Sequence, residues 1–344
     1  MTLAANANSA PTFVHPAQAL LGAQAGAVVL PVCDHYSGVE ARMRKSLALQ
    51  SEMAAEFGHC VFDVTLDCED GAPVGQERAH SELVSALARD AAPGARVAAR
   101  VHTVDHPAFA DDMAIIAGEA GHRLCHIMIP KVESVDDVLQ AERALQAAGA
   151  AHLPLHVLIE SPAAVQRAFE IAAHPRVQSL SFGLMDFVSA HGGAIPAAGM
   201  SVAGQFSHPL VVRAKLEIAA ACHAHGKVPS HCVVTEFSDA AALEAAAGRA
   251  AREFGFTRMW SIHPGQIRAI LSAFSPPEGE IAQAARIISA ALQADWAPVS
   301  VEGVLHDRAS YRYFWQVLTR AHQTGRALPE TAQAWFTDAA PPSS

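Results

Sequence analysis

Phe62-Asp-Val-Thr-Leu-Asp-Cys-Glu-Asp70 runs from an apolar start into a cluster of acids. A short run of this kind reads as a buried strand. A charge at its C-terminal end is where a parallel βα barrel keeps its active site. The same grammar recurs in Val97-Ala-Ala-Arg100, Ile127-Met-Ile-Pro-Lys131, Val157-Leu-Ile-Glu160, Leu180-Ser-Phe-Gly-Leu-Met-Asp186 and Met259-Trp-Ser-Ile-His263. Polar groups that repeatedly end apolar runs at about the length of a βα unit converge on one face of the fold, which is the arrangement of an enzyme.

Outward from these stretches the chain alternates. Strands are expected at 27–34, 60–67, 96–102, 124–130, 154–160, 177–184, 227–234 and 257–263. Helical patterns fill 39–57, 76–90, 107–120, 134–148, 162–173, 208–225, 239–254 and 264–274. Ser134, Ser161-Pro162 and Ser238-Asp239 supply helix-start signals. Eight strands alternating with eight helices predict a TIM (β/α)8 barrel. A doubly wound open sheet is the rival, weakened by the absence of GxGxxG. The barrel is expected over 27–275, after a loose N-terminal segment at 1–26. A C-terminal helical extension or lid follows at 276–338, with helices at 278–293 and 309–323 around an extended piece at 298–307, and a frayed tail at 339–344. The Gly/Ala-rich stretch 188–206 is a long loop on the catalytic face, where lids occur.

The chain has 344 residues and 51% hydrophobic content, ample for a large core. Its formal charge of -10, with no basic run, disfavours nucleic acid. Residues 15–33 lack Asp, Glu, Lys and Arg but hold Gln18, Gln24 and Pro31, and they fit neither a signal peptide nor a membrane span. The six Cys, with no CxxC, fit reduced thiols in a cytoplasmic protein.

Glu160 and Asp186 end consecutive strand candidates, so their carboxylates are expected side by side. Two hard oxygen donors completed by water suit Mg²⁺; the competing role is helix capping. Glu69 and Asp70 would hold metal-bound waters or pair with Arg100. Arg100 suits a bidentate grip on a carboxylate, and Lys131 a salt bridge to neighbouring acids. His263 ends the last strand, where a helix-start role competes with a catalytic one. His102 and His191 are weaker candidates.

These pieces resemble the citrate lyase β subunit and malyl-CoA lyase group of the HpcH/HpaI aldolase superfamily. The resemblance is carried by Leu66-Asp-Cys-Glu-Asp-Gly-Ala72, Ala99-Arg-Val-His102, Ile129-Pro-Lys131, Leu158-Ile-Glu-Ser161, Phe182-Gly-Leu-Met-Asp186 and Ser261-Ile-His-Pro-Gly-Gln266, in order along the chain. It implies a Mg²⁺-dependent carbon–carbon lyase that cleaves a 3-hydroxyacyl-CoA reversibly to an acyl-CoA and a keto acid. Glu160 and Asp186 would bind the metal, Arg100 would bind substrate and steady an enolate, and Glu69 would support the site. Lys45 would approach coenzyme A. Asp307 would be an acid/base supplied by a neighbouring subunit, in a homotrimer or a multiple of one. Two departures stand out: His102 replaces the Asn of the group, and Pro229-Ser-His-Cys232 lacks its acid. The rivals are a CoA-independent pyruvate-type aldolase and a catalytically silent binding or assembly subunit.

Overall fold

The computed structural model describes residues 14–22, 25 and 29–337. Residues 27 and 28 of the first expected strand, most of the expected N-terminal segment and the tail at 339–344 lie outside the described residues. The chain forms two compact units, one over Leu30–Phe274 and one joining the N-terminal segment to Ser275 and beyond.

The first unit is a closed barrel of eight parallel strands, β1 (Cys33–Ser37), β2 (Phe62–Asp67), β3 (Val97–Arg100), β4 (Leu124–Ile129), β5 (Leu155–Ile159), β6 (Val177–Phe182), β7 (Val228–His231) and β8 (Arg258–Ser261). It is a TIM barrel, as the strand-ending charges imply. The N-terminal helix α1 (Pro16–Leu21) precedes it in the chain. The barrel helices are α2 (Glu40–Phe57), α3 (Glu77–Asp90), α4 (Phe109–Asp112), α5 (Gly118–Ala120), α6 (Val135–Ala147), α7 (Pro162–Gln166), α8 (Ala168–Ala173), α9 (Leu184–Ser189), α10 (Pro209–Ala224), α11 (Ala240–Arg252) and α12 (Gly265–Phe274). A π-helical turn, Met113–Ala117, joins α4 to α5. Local chemistry sets the helix starts. Ser134 forms a capping box with Asp137, the Ser161 hydroxyl accepts from the Ala164 N–H at 3.0 Å, and Asp239 accepts from Ala242 at 3.0 Å.

The first strand departs from expectation. It lies at Cys33–Ser37, not 27–34, and it is polar yet wholly buried. The reason is a charged plug inside the barrel. Arg258 of β8, with no exposed surface, sits 2.8 Å from Asp34 of β1 and 2.7 Å from Asp63 of β2, and donates to the Pro31 carbonyl at 2.7 Å. Asp63 also takes Arg96, and Thr65 donates to Asp34 at 2.7 Å. The strand that closes the barrel against β8 is therefore chosen by ion pairing rather than by apolar content. Outside the wall, the His35 ring bridges Ser261 and Ser46 at 3.0 Å each, tying β1 to β8 and α2. Asp186 also departs: β6 ends at Phe182, and Asp186 lies in the first turn of α9.

The second unit holds α1 with α13 (Glu278–Gln293), β9 (Val299–Val301), β10 (Val304–His306), α14 (Arg308–Gln323) and α15 (Glu330–Thr337). Its core packs Leu20, Ile281, Ile288, Tyr311, Trp315, Leu318 and Trp335. A helix thus lies in the segment expected to be loose, held by Leu20 burial and by Arg312 Nε on the Leu20 carbonyl at 3.1 Å. The expected extended piece at 298–307 is a hairpin. Glu302 and Gly303 both take positive φ, 53° and 80°, the two-residue turn that suits the twist of antiparallel strands.

Removing the Arg258 guanidinium leaves the buried Asp34 without its cation and Asp63 with Arg96 alone. Arg258→Met should cost about 3–5 kcal/mol, read as a lower denaturant midpoint with the same slope. An unchanged midpoint would show that the plug does not hold the barrel closed.

Candidate active site

The strand ends and the turns after them bring the predicted Glu69, Asp70, Arg100, Lys131, Glu160 and Asp186 to one rim. Glu160 directly follows β5 and is only 6% exposed. Its Oε1 accepts the Lys131 N–H at 2.6 Å. A Cβ on Gly183 would sit 2.3 Å from Oε2, so the glycine after β6 makes room for this carboxylate. Burial first, and the charge of Asp186 second, push the Glu160 carboxyl up to about 8. That shift reflects a carboxyl taken out of water and set near a second acid.

Arg100 ends β3, opposite Asp67 in the register of β2. Its Nε and Nη2 grip Asp67 at 2.7 and 2.6 Å, a bidentate pair, and Nη1 reaches Glu69 at 3.0 Å. Burial works against the Arg100 charge, but Asp67 and Glu69 outweigh it and hold the guanidinium protonated. Glu69 is shared with the Lys131 ammonium. Lys131 has φ 49°, a left-handed backbone that costs a non-glycine residue about 1 kcal/mol or more. This conformation lets its N–H serve Glu160 while its side chain serves Glu69. Tyr36 stacks on Trp260 at 4.3 Å, and the Arg100 guanidinium lies 5.6 Å from the Tyr36 ring centre.

At the rim, Asp67, Glu69, Glu160 and Asp186 face the charges of Arg100 and Lys131. Asp70 also lies 3.5 Å from the Lys131 ammonium, so the acids outnumber the cations. Two neighbouring carboxylate side chains and an unmet negative charge fit a small divalent cation such as Mg²⁺. A second grouping, Asp34, His126 and His156 in the barrel interior, has ligand atoms within 4.8 Å of one another. It fits poorly. The two imidazoles stack face to face, 3.5 Å apart and 12° from parallel, so their in-plane lone pairs cannot meet at one ion, and Arg258 already occupies Asp34.

Asp67 and Tyr36 were not singled out from sequence. Their signal was available: Asp67 ends a strand next to Arg100's, and Tyr36 lies in the polar first strand that the hydrophobic criterion overlooked. Other candidates have settings of their own. His263 Nδ1 accepts the Gly265 N–H at 3.1 Å, the helix-start role. His191 pairs with the Phe187 carbonyl at 2.6 Å. Ser230 and His231 are fully buried in β7. Lys45 is exposed on α2. Asp307 lies in the second unit and caps α14, accepting from Ala309 and Ser310 at 3.0 and 3.3 Å.

Residues 46–264 match the model of the HpcH/HpaI aldolase/citrate lyase family. The chain belongs to this family. It is a lyase by that membership, and Glu69, Arg100, Glu160 and Asp186 fall within the matched stretch, whereas Lys45 and Asp307 fall outside it. An L-malyl-CoA/beta-methylmalyl-CoA lyase from Rhodobacter capsulatus is 30% identical over 267 residues, covering 72% of this chain and 84% of that protein. A citrate lyase crystal structure from Burkholderia xenovorans LB400 is 48% identical, with TM-score 0.76, over 94% of this chain and 99% of that one. The Mycobacterium tuberculosis CitE protein, solved with magnesium, acetoacetate and coenzyme A, shares the fold at 22% identity and TM-score 0.62, over 85% and 98% of the two chains.

The raised Glu160 carboxyl makes a stability prediction for the metal-free protein. An acid whose folded pKa exceeds its unfolded value favours the fold at low pH. From about 4.5 the unfolded chain ionises freely while the fold does not, so stability falls until pH passes about 8. Glu160→Gln should remove this slope: in chelator it should melt a few degrees above wild type at pH 8.5 and level with it at pH 4. Parallel melting curves across the range would show that the group is not perturbed.

Proposed function

We propose that this lyase cleaves a 3-hydroxyacyl-CoA thioester, in a Mg²⁺-dependent and reversible reaction, to an acyl-CoA and a keto acid. The observation that carries the reading is the buried Glu160 carboxylate beside Asp186, under the Arg100 guanidinium. The naming of the Rhodobacter relative as a malyl-CoA lyase supports the thioester.

Glu160 and Asp186 would hold Mg²⁺, which when bound supplies Lewis-acid polarisation of the oxygens on the departing keto acid. The rest falls to the protein. Asp67 and Glu69 aim the Arg100 guanidinium by engaging Nε, Nη2 and Nη1, and burial keeps water from loosening those pairs. Arg100 then meets the thioester oxygen as the carbon–carbon bond breaks and the enolate forms, a charge it stabilises without having to reorient. Lys131 keeps Glu69 and Glu160 in register from one strained residue. Lys45, exposed on the barrel, would meet the coenzyme A phosphates. Asp307 of a neighbouring copy would move protons at the enolate. The exposed Val304, Leu305 and Tyr313 beside it are apolar surface that such an assembly, a homotrimer or a multiple, would cover.

Arg100→Lys keeps the charge but loses the fork, so turnover of malyl-, citramalyl- or citryl-CoA should fall about 100-fold. Wild-type turnover in Arg100→Lys would make Arg100 structural only. The same thioester panel, assayed with and without Mg²⁺, decides the substrate; cleavage of a free hydroxy keto acid in its place would favour the aldolase reading. The shared site is tested by mixing. Asp307→Asn and Glu160→Gln should each be inactive and should regain activity when co-assembled, since some sites then combine an intact residue from each copy. Verified mixed oligomers without recovery would exclude it.

A further inference from the structure

Two residues past Arg100, His102 forms a built dyad that the reaction described above does not use. Its backbone N–H and its ring Nδ1 both reach Asp112 Oδ2, at 2.8 and 2.7 Å. Asp112 is fully buried, and its other oxygen accepts the Ser81 hydroxyl at 2.5 Å. The carboxylate can only accept, so Nδ1 carries the proton and the lone pair of the neutral ring lies on Nε2. Asp112, α3 and α4 together fix the ring, while Nε2 is neither buried nor hydrogen-bonded to a described residue. His106 stacks on the ring at 4.3 Å. This is the arrangement of a base, an orienting acid and a supporting hydroxyl, placed at the end of the strand that carries the enolate clamp.

We propose that His102 is the general base this chain supplies from its own barrel, positioned by Asp112. The inference rests on the thioester-lyase reading. In cleavage, Nε2 takes the proton of the substrate's 3-hydroxyl. The C2–C3 bond breaks, its electron pair passes to the thioester as an enolate facing Arg100, and C3 becomes the carbonyl of the departing acid. The proton returns to C2, giving the acyl-CoA, so no proton or electron is consumed overall. The groups that face the ring are Asp112, Glu77, Glu69 and His106. The Asp112 hydrogen bond foremost, against the cost of burial, raises the imidazole above its ordinary value, which suits a base working near neutrality.

His102→Ala should lower kcat on the cleaved thioester about 100-fold. Because Nε2 reaches solvent, added imidazole should restore at least a tenth of the lost rate, which a purely structural histidine would not allow. Asp112→Asn should move the acidic limb of the kcat/KM profile to lower pH. His102→Gln, which keeps a hydrogen-bonding side chain, covers the case in which His102→Ala misfolds, and it should be slow yet fold normally. Wild-type kcat in folded His102→Ala or His102→Gln, or slow His102→Ala that imidazole does not rescue, overturns the proposal. Failure of wild type to cleave any thioester of the panel overturns the reading beneath it, a separate outcome.

Discussion

A carboxylate taken out of water and set beside a second one is the constraint on which this active-site rim depends. Glu160 is buried against Gly183, accepts one backbone N–H, and feels Asp186 across the next strand. Arg100 offsets this only in part. The surrounding features follow from holding that arrangement in place. Lys131 adopts a left-handed backbone to serve Glu160 and Glu69 at once. Glu69 and Asp67 in turn pair with Arg100, and Glu69 with Lys131, so the two cations offset Glu160 and Asp186 only in part. The rim is left with an unmet negative charge beside a rigid guanidinium, which is the electrostatic shape of a site that takes a divalent cation and stabilises an anion formed next to it.

The opposite end of the barrel solves a different problem with similar groups. Arg258 is matched by Asp34 and Asp63, and Asp63 also by Arg96, so the plug is close to neutral within itself. His126 and His156 beside it are kept neutral by burial, His156 down to about 3. Matched charges at the strand starts fasten β1 to β8 and close the barrel. Unmatched charges at the strand ends leave something to bind. The contrast separates structural from functional ionisable groups within one interior.

Much of this was legible in the sequence, because parallel strands announce themselves as apolar runs and the site sits where those runs stop. Glu69, Arg100, Glu160 and Asp186 were picked out that way, and the fold brings them to one rim. Cys33–Ser37 was misplaced because its burial is secured by an arginine 200 and more residues away, which no local window contains. Asp186 was read as a strand end because Leu184 and Met185 continue the apolar run into the first turn of α9. The hairpin at 299–306 escaped because Glu302-Gly303 lacks the Asn or Asp that usually marks such a turn. Asp307, expected as an acid/base from a neighbouring subunit, caps α14 in the fold, and its part in chemistry rests on an assembly.

The account stands most directly on Glu160 being protonated near neutrality until a cation replaces the proton. Titration of the protein with Mg²⁺ by calorimetry at pH 7, in buffers of different ionisation enthalpy, counts the protons released. Binding with release of about one proton, shrinking toward none above pH 9 and absent in Glu160→Gln, is the predicted result. Mg²⁺ binding with no proton release at pH 7, or unaltered binding in Glu160→Gln, would contradict it.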